Sequence, residues 1–291
     1  MKTVALFHPG EMGAALGAAL VSRGFRVLWA SQGRSTQTTA RAKAANLEDT
    51  CTIQQAIKPA EVVISLCPPH AALTLAREVA AESFAGIYVD ANAISPATAR
   101  EIATLIEAAG GKFVDGGIIG LPPTAQKQPT LYLSGTHAAA IVALFTGTNI
   151  RAEVMEGGAG TASALKMCYA AFTKGTTALL AAVRALAEHE GVEAPLLESW
   201  RRTLPEVPRQ SEHAAAAASK AWRWSGEMEE IAATFAAAGL PEGFHRASAE
   251  IYRRLESFKN RTTPPSMAEV TQAIQRSAPV EPARVKKKLR I

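Results

Sequence analysis

The hydrophobic positions of this chain follow two patterns, which meet at a glycine-rich stretch over 157–160. Before it, short strand candidates of mainly apolar residues recur at 4–7, 26–29, 62–66, 87–90, 113–115 and 130–133, and a further one at 151–155 closes the series. Alanine-rich stretches of helical character, at 14–22, 71–82, 96–109 and 138–144, separate most of them. Short, mainly apolar strands that alternate with helices predict a parallel sheet covered on both faces. After the glycines no stretch reads as a strand. Residues 161–190 predict one long helix ended by Gly191, and further helices are expected at 196–204, 209–223, 227–238, 244–258 and 266–276.

The junction between the first strand and the first helix has a chemistry of its own. Residues Thr3 to Gly17 run from an apolar strand through His8-Pro9-Gly10-Glu11-Met12-Gly13 into an alanine-rich helix. Free backbone N–H groups and the dipole at such a helix start favour a phosphate. The dinucleotide fingerprint Gly-x-Gly-x-x-Gly is met at Gly10 and Gly13, with His8 in the place of the first glycine. The fold class expected is therefore an α/β Rossmann-type N-terminal domain over 1–156, followed by an all-α C-terminal domain over 157–276. Pro279 and Pro282 lead into a tail over 277–291 that is expected to be disordered.

Composition narrows the functional classes. Of the 291 residues, 48% are hydrophobic, enough for a large core, yet no run is long enough to span a membrane. The N-terminus reads directly into a strand, so a cleaved signal peptide is not expected. Cys51, Cys67 and Cys168 form neither a pairing pattern nor a metal-ligand spacing, which suits a reducing, cytoplasmic setting and no metal. The net charge of +5 has much of its excess in 284–290, Arg-Val-Lys-Lys-Lys-Leu-Arg, which reads as a solvated basic tail. Neither a nucleic acid nor a membrane is expected as a partner.

Candidate chemistry sits at strand ends and early in the long helix. Asn92, in Asp90-Ala91-Asn92-Ala93-Ile94-Ser95-Pro96, offers a donor and acceptors at the carboxyl edge of the sheet, to cofactor or substrate. Ser95 reads as the cap of the helix starting at Pro96. The carboxyl ends of the strands are where such sheets bind ligands, which adds Glu11, Leu66, Cys67 and Pro68 to Gly10, Met12 and Gly13 as cofactor candidates. After the second strand there is no carboxylate before Glu48, and Ser31, Arg34 and Ser35 can donate to a phosphate. That favours NADP, with NAD as the alternative. Lys166 lies among Leu165, Met167 and Cys168, an apolar setting that disfavours its charge and suits it to proton transfer. Tyr169 and Lys174 share roughly its side of the helix, and both assistance and plain packing are open to them.

Taken together, these segments resemble the β-hydroxyacid dehydrogenase superfamily, which includes 3-hydroxyisobutyrate and 6-phosphogluconate dehydrogenases. The family's Asp-x-Ser-Thr-x-x-Pro falls on Asp90 to Pro96, with Asn92 and Ala93 for serine and threonine. Its Gly-x-x-Gly-x-Gly-x-x-x-Lys-x-x-x-Asn falls on Gly157, Gly160, Ala162, Lys166 and Ala170. The resemblance implies that Lys166 is the catalytic acid/base and that Ala170 stands where a lysine-orienting asparagine is usual. The substrate-binding segment Asp-Ala-Pro-Val-Ser-Gly-Gly falls on Asp115 to Leu121, with Ile119 for the serine, Gly120 kept and Leu121 for the last glycine. Trp222 and Trp224 suit either an apolar pocket or core packing. With the NADP preference read from Ser31 and Arg34, the resemblance implies an oxidoreductase acting on a secondary alcohol or carbonyl, a small-molecule substrate expected to be a β-hydroxy acid or a derivative of one, with a homodimer formed through the helical domain. Two other readings are an imine reductase and a catalytically idle NADP-binding sensor.

Overall fold

The computed structural model of the chain describes residues 2–124, 126–259 and 261–276. The predicted basic tail therefore lies outside the described residues. The first half runs β1 (Thr3–Phe7), α1 (Glu11–Ser22), β2 (Arg26–Trp29), α2 (Thr36–Ala44), β3 (Glu48–Asp49), α3 (Ile53–Ile57), β4 (Val62–Ser65), α4 (Pro69–Ala81), β5 (Ile87–Asp90), α5 (Pro96–Ala108) and β6 (Lys112–Ile119). It continues with β7 (Thr130–Ser134), α6 (Ala138–Phe145) and β8 (Arg151–Met155). From there the described residues are helical: α7 (Thr161–His189), α8 (Glu193–Thr203), α9 (Val207–Ala221), α10 (Trp224–Ala237), α11 (Gly243–Arg254) and α12 (Met267–Gln275). This is the expected α/β portion followed by an all-α run.

The eight strands form one sheet in the order β3-β2-β1-β4-β5-β6-β7-β8. Helices cover both faces of the central strands, since β1 and β4 are buried along their whole length. Val4 and Leu6 pack with Leu16, Leu20 and Phe145 on one face, while Ala5 and Phe7 pack with Leu75, Val79 and Ile102 on the other. The sheet departs from the all-parallel expectation at one place: β7 pairs antiparallel to β6, with Gly117 opposite Tyr132. The physical reason is the connection. Residues 120–129 hold three prolines, and their described residues form no helix, so the chain returns directly instead of crossing over. The remaining pairs are parallel.

The described residues fall into two compact units: those up to Thr173 with Gly226–Arg246, and Lys174–Ser225 with the described residues from Ala247 to Arg276. The first holds the sheet, the opening turns of α7 and most of α10. In the second, Arg184 is a buried cation satisfied on several sides, by Glu193 at 2.7 Å and by Ser211 and Glu212 at 2.9 Å. Removing one such partner from a buried charge leaves it uncompensated, so this cluster fixes how α7, α8 and α9 pack. No helix among the described residues is long and apolar enough to cross a membrane.

Candidate cofactor and active site

The parallel strands end in register, so β1, β2, β4 and β5 deliver the residues after Phe7, Trp29, Ser65 and Asp90 to one edge of the sheet. At β1 the chain turns sharply: the Gly10 N–H donates to the His8 carbonyl at 2.7 Å, and α1 begins with Gly10 as its N-cap. A glycine cap brings no side chain to the helix start, and a Cβ placed on Gly10 meets its nearest atom only at 4.0 Å. The start of α1 thus keeps its approach open to a phosphate. Gly13 serves packing instead, since a Cβ there would lie 2.7 Å from the His8 carbonyl oxygen. Met12 is half-buried and packs against the core under the sheet. Glu11 lies in the first turn of α1, 3.9 Å from Arg41.

The β2 end supplies Ser31 and Arg34, both half-buried. The Arg34 N–H closes a turn onto the Ser31 carbonyl at 3.0 Å, and its guanidinium reaches back to His8 Nδ1 at 3.0 Å. Ser35 is engaged otherwise, its hydroxyl accepting the Thr38 N–H as the cap of α2. His8, Arg34 and Pro68 line one cleft of about 370 Å³.

Asn92 ties β4 to β5. Its Nδ2 donates to Ser65 Oγ at 2.8 Å and to Asp90 Oδ2 at 3.0 Å, and its Oδ1 accepts the Cys67 N–H at 2.6 Å. The residue is 2% exposed, so its carboxamide serves the fold and sets the path of Leu66-Cys67-Pro68. Burial pushes the Asp90 carboxyl up to about 7, with the neighbouring Asp115 adding to the effect and the Asn92 bonds opposing it. Burial likewise pushes the Cys67 thiol up to about 12, which keeps it inert. Ser95 caps α5 as expected, and Glu230 on α10 accepts the Ser95 N–H at 2.7 Å.

Lys166 is held by a short chain of contacts from the sheet. Asp115 on β6 accepts the Ser163 N–H at 2.9 Å and the Ser163 hydroxyl at 2.6 Å. Ser134 on β7 accepts the Ala162 N–H at 3.2 Å and donates to the Gly158 carbonyl at 2.9 Å. These side chains satisfy the opening N–H groups of α7 and pin its first turn to the sheet. Close approach needs Gly117, where a Cβ would stand 2.7 Å from the Ala162 carbonyl oxygen and 3.1 Å from Lys166 Cβ. One turn further on, Lys166 Nζ donates to the Ile118 carbonyl at 2.7 Å. Burial lowers its pKa from 10.5 to about 8. Ala170 is buried and offers no donor, so the main chain of β6 provides the lysine's polar partner.

The other candidates disperse. Gly120 follows β6 directly, and Leu121 beyond it is 61% exposed. Tyr169 is 46% exposed, with the Thr173 hydroxyl bound to its carbonyl. Lys174 belongs to the second unit, where its ammonium lies 5.5 Å from the Trp224 ring and its carbonyl accepts the Tyr252 hydroxyl at 2.6 Å. Trp224 stacks edge-on against Tyr252, and Trp222 lies under the Lys259 ammonium, so both tryptophans pack within that unit. The sequence reading missed Asp115, Ser134 and Ser163 as anchors, the Ile118 carbonyl and Glu230. A serine in the first turn of a predicted helix was the one available signal, and it does not name its partner. Among the described residues no cluster of His, Cys, Asp and Glu is placed to hold a metal.

This sheet edge, its phosphate-ready turn and the following helices define a nicotinamide-dinucleotide-binding class of protein. Residues 3–145 match the NAD binding domain of 6-phosphogluconate dehydrogenase, and residues 187–255 match a domain of unknown function, DUF1932. An uncharacterized 28.5 kDa protein in the 7S RNA 5′ region of Methanothermus fervidus is 32% identical over 172 residues, 59% of this chain and 66% of that relative. A conserved protein of unknown function, whose structure reveals similarity with 3-hydroxyacid dehydrogenases, is 30% identical. Its superposition covers 88% of this chain and 97% of that one at a TM-score of 0.64. The fold is shared with Mycobacterium tuberculosis 3-hydroxyisobutyrate dehydrogenase at 20% identity, TM-score 0.68, covering 95% of this chain and 100% of that one. It is also shared with a Streptomyces aurantiacus imine reductase at 19% identity, TM-score 0.52, covering 94% and 100%. The chain belongs to the β-hydroxyacid dehydrogenase superfamily.

Proposed function

We propose that this protein is an NADP-dependent oxidoreductase that interconverts a secondary alcohol and its carbonyl, the substrate being a β-hydroxy acid or a derivative of one. The observation that carries the reading is Lys166, a half-buried lysine with its pKa lowered to about 8, fixed by the Ile118 carbonyl on a helix anchored to the cofactor edge of the sheet. The residues suited to the dinucleotide are the Gly10–Gly13 turn for the pyrophosphate, Ser31 and Arg34 for a 2′-phosphate, and Leu66, Cys67 and Pro68 beside the ring system. The open approach to Gly10 fits a phosphate there. When bound, the dinucleotide supplies or accepts the hydride.

The protein's own part is positioning and proton transfer. In oxidation the neutral Lys166 amine takes the hydroxyl proton; in reduction its ammonium gives a proton to the developing alkoxide. Asn92 acts indirectly, fixing the loop it binds through the Cys67 N–H. With Ile119 unable to donate, the substrate's acid group or its replacement is held by residues other than the family's serine.

The test has two steps. Nicotinamide fluorescence titrations should give tighter binding of NADPH than of NADH; failure of both to bind overturns the reading. With NADP+ and a panel of β-hydroxy acids, Lys166→Ala should lose about 10²–10⁴-fold in kcat with the dinucleotide Kd little changed. Unaltered turnover would remove Lys166 from the mechanism. Tight NADPH binding without turnover on any alcohol, carbonyl or imine would favour a dinucleotide sensor.

A further inference from the structure

We propose that His8 is a positioning residue for cofactor choice: it holds the Arg34 guanidinium at the cationic end of a nucleotide cleft and so sharpens selection of a 2′-phosphorylated dinucleotide. The inference rests on the NADP reading and goes beyond it, since it gives a role to the residue that breaks the glycine fingerprint.

His8 has φ +61°, in the left-handed region that costs little to glycine and more to any residue with a Cβ. A strained residue persists where its surroundings over-determine it, and such residues gather at binding sites. What His8 gains is specific. Its Nδ1 lies 3.0 Å from Arg34 Nη1, across 26 residues of sequence. Arginine can only donate, so Nδ1 is the acceptor and the imidazole is neutral, with its proton on Nε2. Burial, then the charge of Arg34, then His70 push the His8 pKa down to about 4, which keeps that lone pair available at neutral pH.

Both side chains open on the same space. The cleft of about 370 Å³ is lined by His8, Arg34, Ile53, Pro68, His70 and Glu78, among others. Its volume falls in the usual range of ligand pockets, ~300–1,000 Å³. Glu78 is the one carboxylate of the lining, and Arg34 is its one permanent cation. Guanidinium carries five donors. One given to His8 fixes the plane of the fork and leaves the others for phosphate oxygens. A long, flexible side chain restrained before the ligand arrives loses less freedom on binding it. A glycine at position 8 would relax the backbone and leave Arg34 unrestrained.

The experiment measures Kd for NADPH and NADH by nicotinamide fluorescence on wild type, His8→Gly, His8→Asn, Arg34→Ala and the His8→Gly/Arg34→Ala double variant. Each ratio of the two constants comes from a single protein, so a loss of folded material cancels. His8→Gly is expected to reduce the preference for NADPH about tenfold, the scale of a hydrogen bond to a charged group. His8→Asn should keep most of the preference, because asparagine tolerates left-handed backbone and its carbonyl accepts from arginine. In the Arg34→Ala background His8→Gly should change nothing further, since its effect runs through Arg34. An unchanged ratio in His8→Gly, equal losses in the glycine and asparagine variants, or full additivity with Arg34→Ala would overturn the inference while leaving the NADP reading intact. A wild type with no preference for NADPH overturns the NADP reading first, and this one with it.

Discussion

Lys166 carries the most chemistry because the fold withdraws much of its side chain from water and, among the described residues, pairs it with a carbonyl and no carboxylate. Its polar partner among the described residues is the Ile118 carbonyl, and desolvation lowers its pKa from 10.5 to about 8. The sign of the pH dependence follows. Alcohol oxidation needs the neutral amine, so kcat should rise with pH and level off above about 8. Carbonyl reduction needs the ammonium, so kcat in that direction should fall through the same pH. Measuring both directions on one preparation checks the assignment: two opposed limbs sharing one pKa identify one group. A reduction rate that does not fall above about 8 would exclude Lys166 as the proton donor. At this scale the sequence was informative where chemistry and neighbours coincide, as with Lys166 among apolar residues. It was silent on partners: nothing in the sequence links Lys166 to the Ile118 carbonyl 48 residues away, or His8 to Arg34.

Among the elements, α7 decides where that lysine stands, and its geometry is set at its first turn. Asp115 and Ser134 bind the opening N–H groups, and the glycine at 117 lets the helix lie directly on β6. Gly117→Ala tests this contact. Its Cβ would meet the Ala162 carbonyl at 2.7 Å, a backbone atom that yields only if α7 shifts. The variant should lose about 1–3 kcal/mol of stability, as overpacked sites do, read from urea denaturation. Because the shift carries Lys166 with it, kcat should fall more than dinucleotide affinity; equal losses in both would mean that the lysine's placement does not depend on this contact. The long helix itself was legible from its alanine-rich pattern and terminal Gly191, as were the central strands from their apolar runs. Three elements were not. α2 buries only Ala42, β3 is two exposed charged residues, and α3 is five residues long. Such segments carry almost no hydrophobic pattern, and their one local signal is capping: Ser35 before α2, and the Thr52–Gln55 capping box before α3. The antiparallel turn into β7 was also hidden, because apolar runs do not state their direction.

For the molecule as a whole, a feature of α7 bears on assembly. Phe172, Leu179 and Leu186 are 75%, 47% and 61% exposed and stand seven residues apart. Isolated apolar residues on a surface are ordinary. A repeat of seven along one helix is different, since it draws a single seam of the kind that helices use to pair. Two such seams meeting around a twofold axis cover each other, and this is the basis on which we propose a homodimer through α7. Charging the seam at two points, Phe172→Glu with Leu186→Glu, places like charges against each other in such a dimer. Sedimentation velocity should then show a dimer for the wild type and a monomer for the double variant. Neither residue lies near the Gly10–Gly13 turn or Arg34 in sequence, and neither lines the cleft beside His8 and Arg34. NADPH titration of the variant should therefore still give the wild-type Kd, which separates loss of assembly from loss of fold. A monomeric wild type would leave the seam as surface and would place the whole reaction within one chain.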